Sequence, residues 1–191
     1  LSNTSLGESE AITVIMKKSW NDVNFMTAYT NMDTSDVYAL TSAQAESAYG
    51  YMQRWDGENV SSASSSYMAE HKFMATLDYT DQWFGNNDTR FSLVFIRKSG
   101  EPYSVTFDEP GYNSVTGNSR FYADYSLPYI PTGASDPNVS FTSSAVADAV
   151  MAHVNATGLS AYKGTYAPRN AFNSPWISRL DLRVTQDIKV F

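Results

Sequence analysis

Strict alternation of apolar and polar residues near the C-terminal end constrains the fold of this chain more than any other feature. From 180 to 190 every second residue except Gln186 is apolar, and the residues between them are polar or charged. The apolar positions are Leu180, Leu182, Val184, Ile188 and Val190. Since side chains of a β-strand point alternately to opposite faces, this segment predicts a strand with one apolar and one charged face. Residues 71–80 alternate similarly, and together the two segments predict an all-β, antiparallel fold.

Turn residues divide the chain into five predicted strands, at 9–19, 23–36, 67–83, 88–107 and 177–190. The connections between them differ in length. Residues 20–22 and 85–88 form short turns, whereas 37–66 and 108–176 are long and rich in Ser, Gly and Pro. Short turns at one end of a sheet and long loops at the other are typical of outer-membrane barrels. We therefore expect about five strands of a larger transmembrane β-barrel.

One segment of the longer loop has helical features. Ser143 and Ser144 precede an Ala-rich apolar run, and Gly158 follows it. A hydroxyl cap at the start and a glycine at the end predict a helix over 144–156. We expect this helix in the outer, extracellular loop, because a helix in the barrel wall would leave strand edges unpaired.

The composition argues against several classes of function. The chain has no Cys and only two His, which excludes disulfide scaffolds, thiol catalysis and multi-histidine metal sites. The net charge of −7, without a cluster of Lys or Arg, argues against a nucleic-acid partner. His71 and His153 have no nucleophile at a recognisable spacing, so we interpret them as structural. We predict no enzyme activity, no catalytic residue, no bound metal and no cofactor.

Aromatic residues concentrate beside the two short turns. They are Trp20, Phe25, Tyr79, Trp83, Phe84 and Phe91. Such rings favour the boundary between membrane and water, because each has an apolar body and, in Trp and Tyr, a polar edge. One strand crossing from Phe91 puts Arg97-Lys98 near the opposite boundary, where cations meet the phosphates of lipid headgroups. The predicted partner of this surface is outer-membrane lipid, including lipopolysaccharide.

The charged face of 177–190 cannot point into hydrocarbon, where a mid-bilayer Arg or Lys costs about 2–4 kcal/mol. We expect it to face a wet or plugged lumen. Its members are Arg179, Asp181, Arg183, Asp187 and Lys189. The same alternation fits a soluble β-sandwich, for example a carbohydrate-binding module with exposed Trp55 and Tyr129 as stacking platforms. Trp55 and Tyr129 are accordingly the candidate ligand contacts in the loops.

Four short segments of the sequence resemble a known protein family. They are Glu70-His71-Lys72-Phe73, Ser99-Gly100-Glu101-Pro102-Tyr103-Ser104, Tyr129-Ile130-Pro131-Thr132-Gly133, and Arg169-Asn170-Ala171-Phe172-Asn173-Ser174-Pro175-Trp176 followed by Arg179-Leu180-Asp181-Leu182-Arg183. In this order they resemble the barrel of TonB-dependent outer-membrane receptors, in particular the Oar-like group. The resemblance extends from about Ser5 onward and covers nearly the whole chain.

The resemblance implies a receptor of the bacterial outer membrane, with a barrel of about 22 strands around an N-terminal plug. Such receptors import a scarce extracellular nutrient with energy relayed through TonB. Residues 1–191 would then be part of one barrel domain, and TonB would act through a plug that this sequence lacks. Lys189, Asp187 and Thr185 stand where a terminal barrel strand would have apolar residues. We therefore expect further strands after Phe191.

Overall fold

The computed structural model describes residues 4–38, 42–56, 61–107 and 125–188. Its strands are β1 (Glu8–Trp20), β2 (Val23–Asp36), β3 (Ala63–Ser64), β4 (His71–Phe84), β5 (Asn87–Lys98), β6 (Pro102–Tyr103), β7 (Phe172–Asn173) and β8 (Ile177–Gln186). Its helices are α1 (Ala45–Gly50) and α2 (Ser144–Ala156), followed by a short 3-10 helix at Gly158–Tyr162. No described helix is both long enough and apolar enough to span a membrane.

Five long strands form one antiparallel sheet in the order β1-β2-β4-β5-β8. Each long strand therefore pairs with the next long strand along the chain. β3 adds a two-residue pairing to β2, and β6 pairs with β7 in a separate ribbon. The structure thus confirms the prediction of an all-β, antiparallel fold with these five strands.

Three strand boundaries differ from the prediction, and one of them is the end of β8 at Gln186 rather than at 190, with Asp187 and Ile188 outside the strand. β4 begins at His71 rather than at 67, and β5 ends at Lys98 rather than at 107. These last two differences have one cause at Ser99, whose backbone N–H donates to the His71 carbonyl at 2.8 Å. The return hydrogen bond, from the His71 N–H, is accepted by the Ser99 side-chain oxygen at 3.1 Å instead of by a backbone carbonyl. The Ser99 side chain takes the place of a backbone acceptor, so the backbone pairing of β4 with β5 ends at this point.

The turns and the loop helix lie where the sequence predicts them. Two residues, 21–22, join β1 to β2, and 85–86 join β4 to β5. Gly85 has φ 66°, a left-handed conformation that glycine adopts without steric cost. The α2 helix begins after Ser143, whose hydroxyl accepts a hydrogen bond from the Val146 N–H at 3.3 Å, which confirms the predicted cap. Its C-cap is Thr157, and Gly158 begins the 3-10 helix.

The register gives the sheet two chemically different faces. Phe25, Leu77, Leu93 and Leu182 lie side by side in one row across four strands. The apolar face continues above and below this row with Val23, Tyr29, Phe73, Tyr79, Phe91, Phe95, Leu180 and Val184. The opposite, charged face includes Lys72, Asp78, Arg90, Lys98, Arg179, Asp181 and Arg183.

β1 extends both faces. The Thr13 hydroxyl lies 2.9 Å from that of Thr30, a residue in register with Lys72 of the charged face. Thr13 therefore belongs to the charged face. By alternation Ile12 and Val14 belong to the apolar face.

Contacts divide the chain into two compact units. The sheet unit comprises 9–34, 67–101 and 174–191, and the loop unit comprises 1–8, 35–66 and 102–173. The loop unit has its own small core, in which α2 and the 3-10 helix pack on buried residues. They are Ile130, Val154, Leu159 and Ala167. The assignment of both units to one barrel domain stays a prediction.

Candidate functional site

The apolar face of the sheet is exposed. On β1, Ile12 and Val14 are 70% and 65% exposed, and on β8 Leu180 and Leu182 are 64% and 66% exposed. Aliphatic side chains on an ordered strand are expected to be buried against a partner layer. The sheet unit thus presents a broad, ordered apolar surface of a kind that water does not favour.

Aromatic side chains end this face on the side of the two short turns. Trp20 and Trp83 are about half exposed, and the Trp83 ring packs on Phe91 with centroids 4.8 Å apart. The Asp81 carboxylate accepts hydrogen bonds from the Tyr79 hydroxyl at 2.8 Å and from the Trp83 indole N–H at 2.9 Å. The Tyr79 and Trp83 rings thus direct their polar atoms at the Asp81 carboxylate. We name Trp20, Tyr79, Trp83 and Phe91 the turn-side girdle.

A second aromatic cluster ends the apolar face on the side of the long connections. The His71 ring stacks with Tyr29 and with Trp176, at centroid distances of 6.1 and 5.9 Å. The Tyr29 hydroxyl also lies 2.9 Å from His71 Nδ1. The Arg97 guanidinium lies 5.3 Å from the centre of the Trp176 ring, a cation–π arrangement. We name Tyr29, His71, Arg97 and Trp176 the loop-side girdle.

The loop-side girdle could not be predicted as a group. Arg97 and Lys98 are adjacent in the sequence, but the register puts Arg97 in the row of Phe73 and Lys98 on the charged face. The sequence does contain one sign of this cluster. His71 is the first residue of β4 and Trp176 directly precedes β8, so both rings lie at the ends of strands that adjoin the long connections.

The predicted lumen-facing residues of β8 share one face of the sheet. Arg179, Asp181 and Arg183 alternate with the apolar residues, and the Arg179 Nε lies 2.8 Å from an Asp181 carboxylate oxygen. Asp187 follows the end of β8 and pairs with Arg90 at 2.9 Å. Lys189 and Val190 lie outside the described residues. That these charges face a lumen stays a prediction.

In the loop unit, the candidate ligand contacts Trp55 and Tyr129 are brought together by Tyr166. Trp55 stacks on Tyr166 with centroids 4.7 Å apart, and Tyr129 meets the same ring edge-on at 5.6 Å. Trp55 and Tyr166 are 44% and 39% exposed, whereas Tyr129 is half-buried. Trp55 and Tyr166 therefore form the accessible aromatic surface, and Tyr129 supports it. Tyr166 was not predicted from the sequence, because its role depends on the isolated bridge that pairs it with Tyr129.

A buried carboxylate holds the Tyr129 loop in place. Asp136 accepts hydrogen bonds from the Thr132 N–H at 2.8 Å, the Thr132 hydroxyl at 2.9 Å and the Tyr129 hydroxyl at 3.2 Å. The Asn138 N–H donates to its other oxygen at 2.9 Å. These hydrogen bonds, chiefly those from the backbone of Thr132 and Asn138, lower the pKa of Asp136 below its ordinary value.

Acid is expected to weaken this loop through Asp136. A carboxylate whose folded pKa is lowered adds stability that is complete above its unfolded pKa of about 4 and is lost as the pH falls through the folded pKa. Asp136→Asn should therefore lower the melting temperature at pH 7, and the difference from wild type should shrink near pH 3. The measurement is thermal unfolding followed by circular dichroism. Asp148→Asn, at an exposed position of α2, is the matched control, and a difference for Asp136→Asn that is equal at both pH values would contradict the assignment.

Comparisons with known proteins add no relative. No family model, no curated protein and no solved structure matches this chain. The resemblance to TonB-dependent receptors therefore rests on the sequence phrases quoted above. Within the described residues, no group of three or more His, Asp or Glu side chains is placed to hold a metal ion.

Proposed function

We propose that this chain is part of the barrel of a TonB-dependent receptor in a bacterial outer membrane, which binds and imports an extracellular nutrient. One observation carries the proposal: the sheet has an exposed apolar face with an aromatic girdle at each end. In a transmembrane barrel such a face contacts lipid, and the girdles lie at the two interfaces. TonB would act through a plug that is separate from this sequence.

The dimensions of the apolar face support the proposal. On β4, Asp81, which binds the turn-side girdle, lies ten positions after His71 of the loop-side girdle. At about 3.3 Å per residue and a tilt of about 40°, this length rises about 25 Å along the membrane normal. A height of about 25 Å is that of the apolar band of outer-membrane barrels.

The cations on the apolar face are at its ends. Arg97 lies over Trp176 in the loop-side girdle, and the Lys18 ammonium lies 6.0 Å from the Trp20 ring in the turn-side girdle. Long cationic side chains at these levels can extend to lipid headgroups while their stems stay on apolar surface. The central row, with Phe25 and Leu182, contains only apolar side chains.

The second candidate is a soluble β-sandwich that binds carbohydrate. The exposed stack of Trp55 and Tyr166 favours it, because aromatic faces of this kind are accessible to a ligand. A sandwich, however, buries the apolar face of one sheet against a second sheet. In the described part of the chain the other sheet is the two-residue ribbon of β6 and β7, which is too small for that role.

Cysteine labelling tests the proposed orientation. These 191 residues contain no Cys, so a thiol introduced here is the one labelled in this part of the protein, and the unsubstituted protein serves as the control. In cells that express the full-length protein, Ser140→Cys in a long connection should react with a membrane-impermeant maleimide. Asn86→Cys, in a short turn, should react only after the outer membrane is broken. Labelling of both thiols on intact cells would reject the barrel, and the reverse pattern would reject the orientation.

A further inference from the structure

The loop unit contains a pocket of about 290 Å³. Residues from α1, the segment after it, β6 and the segment before β7 line this pocket: Ala48, Tyr51, Met52, Gln53, Ser66, Pro102, Tyr103, Ser104, Arg169 and Asn170. Its volume is at the lower end of the range for small-molecule sites. Among the described lining residues Arg169 is cationic and none is acidic.

The Arg169 side chain is buried, with 5% of its surface exposed. Its Nη2 lies 2.9 Å from the Asp36 Oδ1 and donates a hydrogen bond to the Asp36 backbone carbonyl. Asp36 Oδ1 itself receives no aligned hydrogen bond from any described residue. The ion pair between Arg169 and Asp36 is therefore supported by the hydrogen bond to the Asp36 backbone carbonyl. Both contacts use Nη2 of the guanidinium. Nε and Nη1 donate to no acceptor in the described part of the chain.

Nε and Nη1 are not fully enclosed, since among the described residues the enclosed side-chain atom without a hydrogen bond is Asp36 Oδ1. The backbone beside Arg169 is fixed, since Asn170 has φ 54° and its side-chain amide donates to the Ser64 carbonyl at 2.7 Å. The Asn170 N–H is bound by the Ser104 hydroxyl at 2.9 Å. Arg169 is thus held in position as part of the pocket lining.

Two further polar groups at the pocket have no partner in the described residues. They are the Gln53 amide and the Ser66 hydroxyl. Tyr51 and Tyr103, each 46% exposed, provide flanking aromatic surface. This combination offers one cationic fork, neutral hydrogen-bonding groups and apolar walls. It suits a small organic molecule with one anionic end.

We propose that this pocket binds the carboxylate of a small organic acid, with Arg169 as its anchor and Gln53 and Ser66 as additional hydrogen-bonding groups. A guanidinium matches a carboxylate with two parallel hydrogen bonds. The inference deepens the proposed function and rests on it only for the source of the ligand, an extracellular nutrient. It does not depend on insertion of the sheet into a membrane.

The test uses two probes that differ in one group, N-acetyl-dialanine and its C-terminal amide. Their binding to the purified full-length protein is measured by isothermal titration calorimetry. We expect the acid to bind at least about tenfold more tightly than the amide. Equal affinity for the two probes, or no binding of either, would overturn the proposal. Inorganic phosphate is the third probe, and tighter binding of phosphate than of the acid would reject a carboxylate site.

Variants identify the pocket. Ser66→Phe fills the pocket and Gln53→Ala removes a polar group from it, so each should weaken acid binding by about tenfold. Ser140→Phe, at an exposed position of the same unit, is the control and should leave acid binding unchanged. Arg169→Lys keeps the charge without the fork and should abolish the preference for the acid. If Arg169→Lys does not fold, Ser66→Phe and Gln53→Ala still decide. Unchanged acid binding in both would refute the site, whereas a failed cysteine-labelling pattern with retained acid binding would reject only the receptor.

Discussion

If the sheet is part of the proposed outer-membrane barrel, lysine in place of Leu182 is expected to destabilise the protein by about 2–4 kcal/mol. Leu182 pairs in register with Leu93, which pairs with Leu77. Leu93 is four residues from Arg97 at one girdle and four from Thr89 near the other turn, so this row lies at the middle of the apolar face. A cation there would have to leave water for hydrocarbon or distort the barrel. The measurement is heat-modifiable gel migration of the full-length protein expressed in a bacterial outer membrane, in which the folded band should be strongly reduced.

The charged face supplies the controls for Leu182→Lys. Thr185→Lys introduces the same residue into the same strand on the opposite face, and Arg183→Ser removes a charge there. Both should leave assembly nearly intact, although Arg183→Ser can alter plug contacts or uptake. In a water-exposed sheet, Leu182→Lys would instead cost less than about 0.5 kcal/mol, because Leu182 is 66% exposed. Equal tolerance of both lysines would therefore reject lipid contact and would indicate that this face of the sheet is exposed to water.

Alanine in place of Gly100 is expected to cost about 3 kcal/mol, the upper part of the range for overpacking. A Cβ at Gly100 would collide with the Ser174 carbonyl and would lie 2.7 Å from the Pro175 oxygen. These are backbone atoms, and the Ser174 N–H already donates to the Glu101 carbonyl at 3.0 Å. The chain therefore cannot move aside without losing this contact. Urea denaturation followed by tryptophan fluorescence measures the loss, which Trp176 should report directly.

Gly133→Ala is the matched control for Gly100→Ala. No atom lies within 4 Å of a Cβ at Gly133, and its φ is not in the left-handed region. Alanine there should be neutral or should stabilise the protein by about 0.4–1 kcal/mol, because it restricts the unfolded chain. Equal shifts of the denaturation midpoint for the two substitutions would contradict the close approach of the backbone at Gly100.

The strands, turns and loop helix could be predicted from the sequence because their signals are local. Alternation in 180–190 follows from the geometry of a single strand, and the Ser143 cap and the turn glycine at 85 act on neighbouring residues. The strand ends at His71 and Lys98 could not be predicted. Ser99 ends the ladder through a hydrogen bond with a residue of another strand, and no local pattern encodes this bond.

The candidate sites could likewise be predicted from the sequence only in part. Alternation alone shows which β8 residues share a face, because it needs no partner strand, and the sequence also indicated Trp55 and Tyr129 as loop aromatics. Which residues meet across the chain can be seen only in the folded protein. The stack of His71 on Trp176 depends on register, and so do the bridge that brings Tyr166 to Tyr129 and the pairing of Arg169 with Asp36. These contacts join segments that are distant along the chain, and their free energy exists only after the strands and loops have been brought together.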